Sequence, residues 1–200
     1  MRTAVAVGTV VATVGLTSAV AHAATNTAAG TTAKAAPRAA AAGRNYTYLE
    51  FDKGASPTNS RLRFVYVQNT NPDHVRSWVV ASWRAGSGDG SKNTCYRNHG
   101  WLPNGTYKIL HYYAHHNGGA HGVNGISWQI SDHKCWNGTP RTELFVHSKM
   151  LPSGKQGSGP YRWTGSYVSN GCVKLSPTDI RSLQSLWNSS YPRPTQLYVR

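Results

Sequence analysis

Apolar and polar residues alternate along most of the chain beyond Arg44. Thr47, Leu49 and Phe51 alternate with Tyr46, Tyr48 and Glu50, and Leu62 to Val67 repeats the rhythm. A period of two is the mark of a strand with one covered face. Trp78 to Trp83 is a short apolar run that gives way to Gly-Ser-Gly-Asp-Gly. Leu102-Pro103-Asn104-Gly105 has turn chemistry and leads into an alternating stretch from Thr106 to Tyr113. Ile126 to Ile130, Glu143 to Val146 and Leu197 to Val199 read as further strands. Many short strands with Gly, Pro and Asn between them predict a mainly β domain, a mixed sandwich or barrel-like sheet. One short helix interrupts the pattern. Ser176 is a natural N-cap, Pro177 suits the first turn, and Asp179 puts negative charge where the helix dipole favours it. Ile180, Leu183, Leu186 and Trp187 then share one face, as a core-facing stripe does.

The first 44 residues follow another logic. Arg2, the small apolar run Ala4 to Leu16 and Ala21-His22-Ala23 form a secretory leader with a small-x-small cleavage site, assigned to residues 1–23. The run is too short and alanine-rich for a membrane span of about 20 residues. Residues 24–44 are almost entirely Ala, Thr, Gly, Pro and basic residues, a spacer without the apolar content to form a core. Residues 45–200 are left as one domain, expected to be secreted or held at the cell wall and to have no membrane span once the leader is removed.

Charge narrows the partners. Four of the 21 Lys and Arg and none of the seven acids precede Asn45, so the domain carries a formal charge of +10. Such a surface suits polyanions. The basic residues are scattered rather than gathered into a nucleic-acid motif, which argues against nucleic acid and for anionic wall polymers. The three cysteines are an odd number for an exported chain. Cys95 and Cys135 can pair and leave Cys172 over; pairings of either with Cys172 remain open at this level.

Cys172 has the most chemical context. It follows Ser169-Asn170-Gly171 and lies downstream of His147-Ser148. A thiol attacks carbonyl carbon as thiolate, and a neighbouring imidazole is the usual proton acceptor. Gly171 allows close backbone approach, and the Gly171 and Cys172 amides suit a developing oxyanion.

These pieces resemble the L,D-transpeptidases of bacterial cell-wall synthesis. That signature is a histidine, a gap, then Ser/Thr-His-Gly-Cys, an apolar residue and Arg or Asn. Here His147-Ser148 opens it and Ser169-Asn170-Gly171-Cys172-Val173-Lys174 closes it, with Asn170 in place of histidine and Lys174 in place of Arg or Asn. Upstream, Trp101 to Ile109 is similar to the family's Thr-Pro-x-Gly-x-Phe/Tyr-x-Ile segment. The resemblance spans roughly Val75 to Leu186. It implies a cysteine acyltransferase that forms a thioester with a peptidoglycan tetrapeptide stem and passes it to an amine or to water. It also implies acylation by carbapenems. Cys172 is then the nucleophile, His147 the base, Ser148 its orienting partner and Gly171 an oxyanion donor. Ser169, Asn170, Lys174, Arg141 and Lys149 are the candidates to hold the acidic stem.

No cofactor or metal is expected, and the domain is expected to be a monomer. His111, His115, His116 and His121 form a histidine-rich stretch without nearby acids, and strict alternation puts His111, Tyr113 and His115 on one face as a binding ridge. Gly, Ser and Pro between Pro152 and Pro160 predict a mobile loop near the site. Two other functions fit the same residues: a cysteine wall-peptide hydrolase, and a cationic wall-binding protein without catalysis.

Overall fold

The computed structural model describes residues 43–71 and 74–200. The expected leader and all but the last two residues of the expected spacer lie outside them. Ten strands and one α-helix follow in order: β1 (Tyr46–Ser56), β2 (Asn59–Gln68), β3 (Arg76–Ser87), β4 (Gly105–Asn117), β5 (Asn124–Ile130), β6 (His133–Lys134), β7 (Pro140–Arg141), β8 (Leu144–His147), β9 (Val173–Leu175), α1 (Pro177–Trp187) and β10 (Gln196–Val199). Eight strands close a barrel in the order β1-β10-β4-β5-β8-β9-β3-β2, and β6 and β7 form a separate small hairpin. Two neighbouring pairs, β1 with β10 and β8 with β9, are parallel. Among the described residues no helix is long and apolar enough to cross a membrane.

The expected mainly β fold and its helix are present. β1 departs from simple alternation, since Thr47 to Phe51 are all buried. Leu49 and Phe51 point into the main core, whereas Tyr48 joins a second cluster with Val65, Val67 and Tyr198. Glu50 is buried because it is paired: Arg63 reaches it at 2.9 Å and Arg200 at 3.3 Å. A buried carboxylate needs such partners.

The helix forms as its sequence predicts. Ser176 Oγ accepts the Asp179 amide at 3.1 Å, and Ile180, Leu183 and Trp187 are buried. Trp187 meets Trp128 edge to face with centroids 5.6 Å apart, and Trp83 Nε1 donates to Ser182 Oγ at 3.2 Å. The helix thus seals the core against β3 and β5. The Pro152–Pro160 segment is tied down to it, since Arg181 donates to the Gly154 carbonyl at 2.6 Å.

Candidate active site

Register decides which side chains meet. In β5, β8 and β9, Trp128, Val146 and Val173 face the core. The alternate residues therefore point to the other face of the sheet. β8 and β9 run parallel with Val146 opposite Val173 and His147 opposite Lys174. Cys172, one residue before that pairing, lies level with Phe145, and His147 is the next side chain on the same face of the neighbouring strand. On the other side of β8, Ser127 pairs with His147 and Gln129 with Phe145. Loops close this face into a cleft of about 660 Å³ whose lining includes Cys172, His147, Ser148, Lys149, Lys174, Ser169, Asn170, Phe145, Tyr113, His116, His121 and Glu143.

The three cysteines divide as chemistry requires. Cys95 and Cys135 are disulfide-bonded with Cα atoms 5.4 Å apart, and Cys172 is a free, buried thiol. Its turn is built by Ser169. The Ser169 hydroxyl donates to the Cys172 carbonyl at 2.6 Å and accepts the amides of Gly88 (3.1 Å) and Gly171 (3.3 Å). Ser169 is therefore a fastener of the turn, with its hydroxyl committed there rather than offered to a ligand. The Gly171 contact is the longer of the two amide bonds to that hydroxyl.

His147 Nδ1 lies 2.9 Å from the Ser148 carbonyl. A carbonyl only accepts, so Nδ1 carries the hydrogen and Nε2 is left as the basic nitrogen. Ser148 thus orients the ring through its backbone; its buried hydroxyl has no partner among the described residues. Burial, aided by Lys174 and Lys149, lowers His147 to about 4. Burial raises Cys172 to about 11, opposed by a backbone hydrogen bond from Phe145 and by Arg141, while Glu143 adds to the rise. The thiol also donates to the Glu143 carbonyl at 3.6 Å. At neutral pH the cleft accordingly holds a neutral Cys172 thiol and a neutral His147 imidazole.

A pH dependence follows. Haloacetamide alkylation of Cys172 should rise about tenfold per pH unit toward pH 11, with no plateau between pH 6 and 8. Acylation, which needs neutral His147, should fall only as pH drops through about 4. An alkylation plateau near neutrality contradicts this and identifies a preformed thiolate–imidazolium pair.

The cationic candidates separate. Lys174 and Lys149 line the cleft. Lys174 Nζ donates to the Val168 carbonyl at 2.9 Å and lies 5.4 Å from the Trp163 ring centroid. Burial first, then Lys149, lowers it to about 8. Asn170 is exposed at the cleft wall. Arg141 is not a substrate-facing cation: it is 2% exposed and its guanidinium donates to the carbonyls of Thr94, Trp101 (3.0 Å) and Gly100 (3.1 Å). It sits behind the turn because β7 is the closing strand of the disulfide-linked hairpin. The Pro152–Pro160 segment does not reach the cleft lining.

The histidine ridge is also corrected. β4 is irregular between Ile109 and His111 and again between Tyr113 and His116, each time gaining one residue on β5. The second bulge brings His116 instead of His115 beside Tyr113. The rings run His111–Tyr113 (4.2 Å), Tyr113–His116 (4.5 Å) and His116–Phe145 (5.3 Å) toward the thiol. Among the described residues no three His, Cys, Asp or Glu converge as metal ligands. Glu143 and Gln129 were not singled out from the sequence. The signal for Glu143 is conformational, a positive φ of 54° that sequence pattern does not encode.

No curated protein matches the chain. Among solved structures, one from Bdellovibrio bacteriovorus, Bd1075, matches with a TM-score of 0.48 and 12% identity, covering 77% of this chain and 47% of that one. This chain therefore spans about half the length of that protein. A family profile described as the YkuD L,D-transpeptidase catalytic domain matches residues 48–192, which take in most of β1 and the whole of the cleft. The chain belongs to the L,D-transpeptidase catalytic-domain family.

Proposed function

We propose that the domain at residues 45–200 is a secreted cysteine acyltransferase acting on peptidoglycan stem peptides. The observation that carries this reading is the free Cys172 in one cleft with His147, with both other cysteines committed to a disulfide. His147 Nε2 takes the thiol proton as sulfur attacks the carbonyl of the third stem residue. The Cys172 and Gly171 amides receive the oxyanion. Collapse of the tetrahedral adduct breaks the bond to the terminal D-alanine, whose nitrogen takes the proton from His147. An amine of a second stem, deprotonated by His147, then attacks the thioester and regenerates the thiol; water in its place gives a trimmed tripeptide. Lys149 and Lys174 supply positive charge for stem carboxylates in a cleft whose one acidic lining residue is Glu143.

A neutral resting thiol and imidazole fit a nucleophile made in concert with attack, His147 taking the proton as sulfur approaches the carbonyl carbon. The test is product analysis with disaccharide tetrapeptide as both donor and acceptor. Cross-linked dimers identify transfer, and tripeptide alone identifies the hydrolytic variant of the same chemistry. Unchanged substrate with Cys172 in its free form overturns the enzymatic reading in favour of a wall-binding protein.

A further inference from the structure

The buried guanidinium of Arg141 is out of the substrate's reach, yet it touches the turn that carries the nucleophile. A Cβ built on Gly171 would lie 1.9 Å from Arg141 Nη2, so the guanidinium rests directly against the Gly171 backbone. Its acceptors are three main-chain carbonyls on Thr94, Gly100 and Trp101. No carboxylate pairs with it among the described residues. A charge this buried is ordinarily neutralised by a counter-ion, because carbonyl dipoles replace only part of its lost hydration.

We propose that Arg141 is a positioning residue whose missing counter-ion is the negative charge that catalysis creates, first on the Cys172 sulfur and then on the substrate oxygen. This rests on the reading of Cys172 as the nucleophile. Two features hold the cation there. Thr94 adjoins Cys95, and the hairpin bearing Arg141 contains Cys135, so the disulfide fastens the carbonyl-bearing loop to the strand that supplies the guanidinium. Gly171 has φ +101° and no side chain, which lets the turn lie flat on the cation. The other charged or titratable groups around the thiol are Glu143 before β8, His147 on β8, Lys174 on β9, Lys149 beyond β8, Tyr113 and His116 on β4, and His121 between β4 and β5. Of the groups acting on its acidity, the Phe145 amide and then Arg141 favour the anion, and Glu143 opposes it.

The experiment measures iodoacetamide alkylation of Cys172 against pH in wild-type, Arg141→Met and Arg141→Lys proteins, each with the disulfide intact. Removing the charge should lower the alkylation rate at pH 9 about tenfold and move the profile alkaline by about one unit. Arg141→Lys should restore the profile to within about half a unit. Rates unchanged in Arg141→Met, or lowered equally in both variants, overturn the proposal. Should Arg141→Met fail to fold, Arg141→Gln, which retains two donors, is read the same way. If neither folds, nitrogen-15 shifts of the Arg141 side chain in wild type decide. They must titrate in step with Cys172, and independence from that titration overturns the proposal. Because alkylation needs no muropeptide, an altered profile without muropeptide conversion faults the assigned substrate and leaves the role of Arg141 standing.

Discussion

Cys172→Ala is expected to abolish both carbapenem adduct formation and muropeptide conversion, and His147→Ala to slow acylation by about 100- to 10,000-fold. The two effects differ because they remove different things. Without sulfur there is no atom to carry the acyl group. Without imidazole the sulfur remains, but its proton has no acceptor, and burial holds it as the thiol, at about 11. The His147→Ala defect should therefore shrink at alkaline pH, as hydroxide takes over deprotonation, whereas the Cys172→Ala defect should not. Intact mass and initial rates at pH 7 and pH 10 check both. A Cys172→Ala protein that still converts muropeptide contradicts the assignment of the nucleophile.

Gly171→Ala is expected to give the second largest loss, and to act through the backbone. At φ +101° an L-residue is strained, and the new methyl would collide with Arg141 Nη2, part of a guanidinium held by three hydrogen bonds. Strain of about 1–2 kcal/mol plus displacement of a packed buried group should lower Tm by roughly 5–10 °C for a domain of this size. Acylation should be lost even below the melting point, because the turn cannot keep sulfur and its amide in register. Gly119→Ala is the control: its φ is +77°, but nothing lies within 4 Å of the added Cβ. It should show the conformational cost alone, with acylation unaffected. Equal melting points and equal acylation rates for wild type and Gly171→Ala contradict this picture of the turn.

Period-two alternation made most strands of the barrel legible, since covered faces leave their mark on composition. The helix was legible to its cap, because Ser176, Pro177 and Asp179 act locally. β1 was less so: alternation predicts one covered face, but Tyr48 and Glu50 are covered as well, by a second cluster and by arginines from β2 and the C-terminus. The same limit moved the histidine ridge. A bulge is one extra residue against the partner strand, so the exchange of His115 for His116 is a property of the β4–β5 pair that β4 alone does not show. Cys172 and His147 stood out because a lone thiol and an imidazole carry distinctive chemistry, and both line the cleft. Arg141 was misplaced for the converse reason. A basic residue near the motif reads as a carboxylate anchor, and its burial depends on a hairpin closed by the disulfide.

The most direct test of the central claim is to incubate the oxidised protein with a synthetic tetrapeptide stem, quench in acid, and map the modified peptide by mass. The account predicts a tripeptidyl thioester on the peptide containing Cys172, one equivalent of released D-alanine, and Cys95 still joined to Cys135. Cys172 recovered unmodified with no D-alanine released, or recovered in a disulfide, would contradict it.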